Sequence, residues 1–188
     1  MEKVLHIKNM VCDRCILVVN QIFETLEIPL ISLELGVAVI ALKNASSLDS
    51  IDQALEEKGF VRVLKEHAQL TNAIKGVLIA TMDGENRIPN ENISSYLVEK
   101  LGKDYGQLSK CFSRVEKMTI EKYWIQLRVE KAKEYIQMGT MNFSEIGYAL
   151  NYKSSSHLAS QFKMIVGVSM SEYRKSEHWN RRALDQII

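Results

Sequence analysis

The fold of this chain is decided by one stretch in its C-terminal part, Asn142-Phe-Ser-Glu-Ile-Gly-Tyr-Ala-Leu-Asn-Tyr-Lys-Ser154. Asn142 and Glu145 have the spacing of a capping box, which predicts the start of a helix. Residues 151–153 then read as a short turn, and Ser154 can cap a second helix. A helix, a turn of three or four residues and a second helix form the helix-turn-helix plan, which places its second helix in the DNA major groove.

The same pattern occurs 50 residues earlier in the chain. In this first copy a helix from Ile93 ends at Leu101-Gly102, and Asp104 caps the next helix, with Gln107 at the capping-box position. The repeat pairs Asn92 with Asn142, Leu108 with Leu158, Phe112 with Phe162, Thr119 with Ser169 and Tyr123 with Tyr173. We therefore expect two helix-turn-helix units.

Residues 120–138 connect the two units and read as one amphipathic helix. Its 19 residues at ~1.5 Å each span roughly 28 Å, which approaches the ~34 Å between successive major-groove faces. This length suits one polypeptide that places two recognition helices in adjacent grooves. Helical spacing predicts the core face of each recognition helix, namely Leu108, Phe112 and Val115 in the first and Leu158, Phe162 and Ile165 in the second.

Residues 1–65 follow a different plan, in which strand and helix patterns alternate. A strand at residues 3–10, a helix that ends before Pro29, two strands hinged at Gly36, a helix that ends at Gly59 and a strand at residues 60–64 predict the order β-α-β-β-α-β, the ferredoxin-like plan. Residues 66–81 read as a further helix, and residues 83–90 have the composition of a turn. The predicted fold class is α+β, with a ferredoxin-like domain at residues 1–65 and an all-α double helix-turn-helix domain at residues 66–188.

Cys12 and Cys15 lie where the first predicted strand leads into the first predicted helix. Two thiols at this spacing can point at one centre, and a helix N-terminus favours the thiolates that bind soft metals. Two thiolates suit Cu(I), whereas Asp13 could assist a harder ion such as Zn(II) or Cd(II). His6 and His67 read as surface residues, although either could complete a metal site. A thioredoxin-like redox pair, an organic-ligand site and a loop that binds nothing also fit this pattern.

Residues 1–65 resemble the heavy-metal-associated domain of copper chaperones and metal-pumping ATPases. The resemblance is carried by Met10-Val-Cys-Asp-Arg-Cys15, against that family's Gly-Met-Thr-Cys-x-x-Cys, and by Glu57-Lys-Gly-Phe60 before the last strand. It implies that Cys12 and Cys15 are metal ligands, that Met10 supports the loop and that Phe60 is its neighbour. Asn9 and Val11 depart from the family, which has Gly and Thr at these positions.

Residues 66–176 resemble the DNA-binding domain of the AraC/XylS family of transcriptional regulators. The matching residues are Phe143-Ser-Glu-Ile-Gly-Tyr-Ala-Leu-Asn-Tyr152, Ser156-His-Leu-Ala-Ser-Gln-Phe-Lys163, Gly167 and Ser171-Glu-Tyr-Arg174. Asn151 stands where the family usually has Gly, and Asn tolerates the positive φ of the turn. The resemblance implies a regulator that binds double-stranded DNA and contacts RNA polymerase.

The position of residues in this family assigns base readout to one face of each recognition helix. These residues are Gly106, Gln107, Ser109 and Lys110 in the first unit, and Ser156, His157, Ala159 and Ser160 in the second. Gln107 suits adenine, Lys110 suits guanine and Ala159 could meet a thymine methyl. Arg114, Lys163 and Arg174 are the phosphate candidates. Each of these could instead be a solvated surface residue, and His157 could simply cap the turn.

The charge distribution permits DNA contact in the last third of the chain. Residues 1–65 carry seven Lys/Arg and nine Asp/Glu, whereas residues 153–182 carry six Lys/Arg and two Glu. The apolar run at residues 37–42 is too short to span a bilayer, and the N-terminus lacks the plan of a signal peptide. Three cysteines do not form a secreted disulfide framework, so we expect a cytoplasmic protein without a membrane partner. Cys111, between apolar residues, reads as a small core residue.

The sequence holds no Ser-His-Asp set, glycine-rich phosphate loop or His-Glu-x-x-His motif, so an enzyme is not expected. It favours a DNA-binding regulator whose CxxC domain senses a soft metal ion, Cu(I) or Zn(II). The alternatives are a regulator that senses a non-metal ligand or redox state, and a metal chaperone or buffer. The repeat favours the regulator, because neither a chaperone nor a redox enzyme needs two recognition helices. Self-assembly of the chain is allowed, and residues 177–188 read as a basic extension or a docking segment.

Overall fold

The computed structural model describes residues 2–42, 47–82, 92–176, 179–182, 184 and 187, and it begins with a mixed α/β unit. The elements of this unit are β1 (Glu2–Lys8), α1 (Asp13–Thr25), β2 (Leu30–Glu34), β3 (Val37–Ala41), α2 (Ser47–Glu57) and β4 (Val61–Val63). Their order is the β-α-β-β-α-β order that the sequence predicts. β1 ends two residues before its predicted end, because Asn9 takes a positive φ of 75° and turns the chain into the CxxC loop.

The four strands form one antiparallel sheet in the order β2-β3-β1-β4. Side chains alternate between the two faces of a strand, and Leu5 and Ile7 of β1 lie on the buried face. The helices α1 and α2 supply the rest of this core with Val19, Ile22, Phe23, Ile51 and Leu55. The apolar periodicity of both helices is thus satisfied by packing on one sheet face.

The elements described after β4 are helices. They are α3 (Glu66–Ala80), α4 (Ile93–Leu101), α5 (Tyr105–Glu116), α6 (Ile120–Met138), α7 (Phe143–Ala149), α8 (Ser155–Val166) and α9 (Met170–Lys175). The bounds of α6 are those that the sequence predicts for the connecting helix. The turn expected at residues 83–90 lies outside the described residues. No described helix is both long and apolar enough to cross a membrane.

The 50-residue repeat of the sequence is also a repeat of packing. The ring of Phe112 lies 5.4 Å from the ring of Tyr123, and that of Phe162 lies 5.4 Å from that of Tyr173. All four rings are buried, so each helix-turn-helix unit has its own core. The prediction that Val115 belongs to the first core is wrong: its side chain is 38% exposed, because it lies in the last turn of α5, where the helix leaves the core.

The helix α3 is packed between the sheet and the first helix-turn-helix unit. The side-chain amide of Asn72 donates to the carbonyl oxygens of Ile7 and Gly36, each at 3.0 Å. Gly76 lies so close to the hairpin between β2 and β3 that an added Cβ would be 2.2 Å from the carbonyl oxygen of Leu35. On its other side α3 contributes Ile74, Leu78 and Ile79 to the core of the first unit. The helix α3 therefore contacts both the sheet and the core of the first unit.

Candidate DNA-binding surface and CxxC loop

The recognition helix of the first unit is α5, and its start is fixed by a cap. The carboxylate of Asp104 accepts hydrogen bonds from the backbone N–H groups of Gly106 at 2.8 Å and Gln107 at 3.3 Å. Leu108, Cys111 and Phe112 face the core, as the sequence predicts for these three residues. The opposite face leaves Gly106, Gln107, Lys110 and Arg114 exposed and Ser109 half-buried. This face is free to approach a polyanion.

The recognition helix of the second unit is α8. The hydroxyl of Ser154 accepts from the N–H of His157 at 3.2 Å, and Leu158 and Phe162 are fully buried. The residues predicted to meet DNA are all exposed: Ser156, His157, Ala159, Ser160 and Lys163. Most of these side chains are small, so the helix backbone can come close to base edges.

The turn between α7 and α8 has the shape that the sequence predicts. Asn151 adopts a φ of 60°, the left-handed conformation for which Asn replaces Gly at low cost. A Cβ added to Gly147 would lie 3.4 Å from the Cα of Ser155, so α7 and the start of α8 are closely packed. Asn142 and Glu145 form both bonds of the predicted capping box, at 3.0 and 2.7 Å.

Arg128 of α6 is a functional candidate that sequence reasoning missed. Its guanidinium lies over the ring of Trp124 at 5.3 Å and over that of Tyr152 at 4.2 Å. Burial lowers its pKa, and among the described residues its Nε has no hydrogen-bond partner. The ring of Tyr152 in turn meets the ring of His157 edge-on at 5.3 Å. The connecting helix thus contacts Tyr152, the turn residue against which His157 is positioned. The only signal for Arg128 in the sequence is its spacing of one helical turn from Trp124, which places the two side chains side by side.

Two of the phosphate candidates already have partners within the chain. The guanidinium of Arg174 donates to the carbonyl oxygen of Met141 at 2.9 Å and lies 4.2 Å from the ring centre of Phe143. Arg114 lies 3.3 Å from Nε2 of His67. Lys163 is exposed on α8. Lys163 is therefore the candidate with the greatest freedom to follow a DNA backbone.

The CxxC loop places its two thiols side by side at the start of α1. The Sγ atoms of Cys12 and Cys15 are 3.6 Å apart, and both residues are partly exposed. Burial alone would raise the pKa of Cys12, but hydrogen bonds from Cys15 and Arg14 lower it overall. Burial raises the pKa of Cys15, and the neighbouring Cys12 adds to this effect. Cys12 therefore ionises before Cys15.

The residues around the thiols hold the loop in place. Asn9 stands where the resembling family has Gly, and its amide donates to the carbonyl oxygen of Gly59 at 2.9 Å. The Sγ of Cys15 lies 3.9 Å from the carbonyl oxygen of Asn9. Met10 and Phe60 are both buried in the core beneath the sheet's helices. The loop is thus held by the hydrogen bond to Gly59 and by the burial of Met10.

The chemistry of the loop fits a soft metal ion. Two sulfurs at ~2.3 Å from one zinc ion and 3.6 Å from each other subtend roughly 100°, close to a tetrahedral angle. Among the described residues no cluster of three His, Cys, Asp or Glu side chains is present, so further ligands would come from elsewhere. His6, which the sequence offers as a third ligand, instead lines a cleft of about 480 Å³ with Gln107, Lys110 and Arg114. Cys111 is buried, as predicted, with its thiol 3.3 Å from the carbonyl oxygen of His67.

Comparison with known families supports the prediction of a helix-turn-helix domain in the C-terminal part of the chain. Residues 97–176 match the model of a family described as a helix-turn-helix domain. This match begins within α4 and ends after α9, so it includes both recognition helices. No curated protein matches the chain.

Three solved bacterial structures are similar to the C-terminal part of this chain. The C-terminal domain of AraT, a response regulator from Geobacillus stearothermophilus, is 17% identical with a TM-score of 0.51, over 63% of this chain and 97% of that one. An AraC-type transcriptional regulator from Chromobacterium violaceum is 20% identical with a TM-score of 0.47, over 56% and 92%. The C-terminal domain of the response regulator yesN from Fusobacterium nucleatum is 24% identical with a TM-score of 0.47, over 54% and 98%. The family match and the two capped units show that residues 97–176 of this chain form a helix-turn-helix domain, and the AraT domain shares its fold.

Proposed function

We propose that the chain is a transcriptional regulator of the AraC type whose N-terminal domain binds a soft metal ion and thereby controls the DNA-binding half. The observation that carries the first part is the pair of helix-turn-helix units. In each unit the recognition helix is capped, buries its apolar face in the core and exposes its polar face. The partner of these faces is double-stranded operator DNA. Contact with RNA polymerase, and assembly of two copies on one operator, belong to the same proposal.

The CxxC domain supports the second part of the proposal. A four-stranded antiparallel sheet in the order β2-β3-β1-β4, with two helices on one face, is compatible with the ferredoxin-like plan of heavy-metal-associated domains. Cys12 and Cys15 would hold Cu(I) or Zn(II), and a small thiol, solvent or a partner chain would complete the coordination. The early ionisation of Cys12 supplies the first thiolate.

We expect Lys110→Ala to weaken discrimination between the cognate site and its variants by about 1–3 kcal/mol at the base that Lys110 reads. Lys163→Ala should weaken binding to all duplexes alike and reduce the salt slope by about 1, because it removes a phosphate contact. The measurement is a titration of duplexes selected from a random library, at several salt concentrations, with the full chain.

Lys58→Ala is the matched control, since Lys58 is an exposed lysine that follows α2 of the α/β unit and belongs to neither recognition helix. It should leave affinity, discrimination and salt slope unchanged. If the full chain selects no preferred sequence, the proposed regulator is wrong. If Lys110→Ala and Lys58→Ala behave alike, the assigned reading face is wrong although the regulator stands.

We expect one soft metal ion per chain to bind through Cys12 and Cys15. The reduced protein is titrated with Zn(II), and separately with Cu(I) held by a competing chelator, while thiolate-to-metal absorption is recorded. Cys12→Ser and Cys15→Ser should each abolish the absorption band, because one thiolate cannot chelate. Cys111→Ser is the control, because this buried thiol lies on α5 with His67 and Thr71 beside it. Loss of binding in Cys111→Ser alone would place the site elsewhere.

A further inference from the structure

We propose that the C-terminal segment, defined as residues 179–182 with Leu184 and Ile187, carries the state of the CxxC loop to the second helix-turn-helix unit. This inference rests on the proposed function, because it names the route by which the metal site would regulate DNA binding. The described residues of the segment contact the second unit, the connecting helix and the first unit in turn.

The segment begins on the second unit. The ring of Trp179 meets that of Tyr173 edge-on, with centroids 5.3 Å apart. Tyr173 belongs to α9, and its ring also meets the ring of Phe162 on the recognition helix α8, with centroids 5.4 Å apart. Trp179 is therefore linked to the core side of α8 through the ring of Tyr173.

The middle of the segment is fastened to α6. The ammonium of Lys133 donates to the carbonyl oxygen of Asn180 at 2.7 Å. The backbone N–H of Arg182 donates to the carboxylate of Glu130 at 3.0 Å. Because the later residue of the segment meets the earlier residue of α6, the segment runs along this helix toward the first unit.

The end of the segment is buried in the first unit. Ile187 is 1% exposed and belongs to the same core as Tyr123 and Leu127 of α6. Leu184 packs against this core as well. The segment therefore joins the cores of the two units along the outside of α6.

The CxxC loop reaches the same core from the other side. Met10 is buried in the core of the α/β unit, whereas the next residue, Val11, packs against the core of the first unit. Val11, Leu184 and Tyr123 line one small cavity of about 30 Å³. Two adjacent residues of the loop thus pack against two different cores.

Val11 is also bonded directly to Cys12 and lines this cavity together with Leu184, so movement of the thiols changes the packing around the cavity. A cavity of about 30 Å³ has room for about one water molecule. Close-packed interiors transmit such a displacement rather than absorb it. The expected path is Cys12, Val11, the described residues Leu184 and Ile187 of the segment, and then Trp179 at the second unit.

The test uses the full chain, a duplex selected from a random library, and whichever of Zn(II) or Cu(I) binds in the titration above. In the unaltered chain the ion should change the duplex affinity five- to 150-fold, a typical coupling between two sites. It should also change hydrogen exchange in α8 and in residues 179–187 without DNA. In Val11→Ala and in Ile187→Ala both responses should fall to less than about twofold, while the ion still binds.

Met118→Ala is the matched control, because Met118 packs against the same core but belongs to neither the loop nor the segment. It should keep the full response. If Ile187→Ala does not fold by circular dichroism, Leu184→Ala, at a less buried position, replaces it. A full response in the Val11 and segment variants, or an ion that binds without changing affinity or exchange, overturns the inference. An ion that does not bind overturns the proposed metal function itself, and this is seen before any variant is made.

Discussion

Phe162→Ala is expected to lower the free energy of unfolding of the second helix-turn-helix unit by about 3–5 kcal/mol. Phe162 is fully buried, and its ring contacts Tyr173 at 5.4 Å in the core of this unit. Removing the ring leaves a cavity between α8 and α9 as well as the lost transfer free energy. Urea denaturation followed by tryptophan fluorescence measures the change, because Trp179 lies against Tyr173.

Met164→Ala is the control for this prediction. Met164 lies on the same helix, two residues further on, but its side chain is 73% exposed. The change should therefore stay within about 0.5 kcal/mol. Similar losses in the two variants would mean that α8 does not present Phe162 to the core, and the assignment of its outer face to DNA would lose its basis.

Local signals in the sequence were sufficient for the helices and for both turns. Capping depends on residues three apart, so Asp104 and Ser154 could be identified as helix starts without tertiary information. Asn151 could be placed in a left-handed turn because few other residues adopt that conformation. The two exposed recognition faces followed directly from these boundaries and from apolar periodicity.

Contacts between distant parts of the chain could not be predicted in this way. Arg128 was not singled out in the sequence, because its contact with Tyr152 joins residues 24 positions apart. Val115 fits the apolar periodicity of α5, but periodicity does not say where a helix leaves its core. The closeness of α3 to the sheet at Gly76 depends on how two units pack, which no local pattern encodes.

The CxxC loop illustrates the same division. The spacing of Cys12 and Cys15 was sufficient to predict that both thiols share one side of a helix start. It did not predict that Val11, between Met10 and Cys12, would pack against the core of the first helix-turn-helix unit. In the sequence Val11 is only a departure from the resembling family. Its contact with the first helix-turn-helix unit is visible only in the structure.

The second large effect is expected at Glu130, which is only 2% exposed. Its carboxylate accepts from the ammonium of Lys133 at 2.9 Å and from the backbone N–H of Arg182 at 3.0 Å. Glu130→Gln keeps the shape of the side chain but leaves the charge of Lys133 buried without its counter-charge. We expect this to cost about 3–5 kcal/mol of unfolding free energy, measured by urea denaturation. Glu134→Gln, whose partners Lys131 and Arg181 lie at 3.2 Å in a more exposed pair, should cost less than about 1 kcal/mol.

The double variant Glu130→Leu/Lys133→Met separates the two contributions of this pair. Burying two charges costs desolvation energy, so replacing both with apolar side chains of similar volume should recover most of the loss seen in Glu130→Gln. The hydrogen bonds to Asn180 and Arg182 would still be missing, because they need the ammonium and the carboxylate. A stable double variant whose residues 179–182 exchange their amide hydrogens rapidly would therefore show that the pair serves to hold the C-terminal segment on α6. A double variant as unstable as Glu130→Gln would instead mean that the pair stabilises the connecting helix itself.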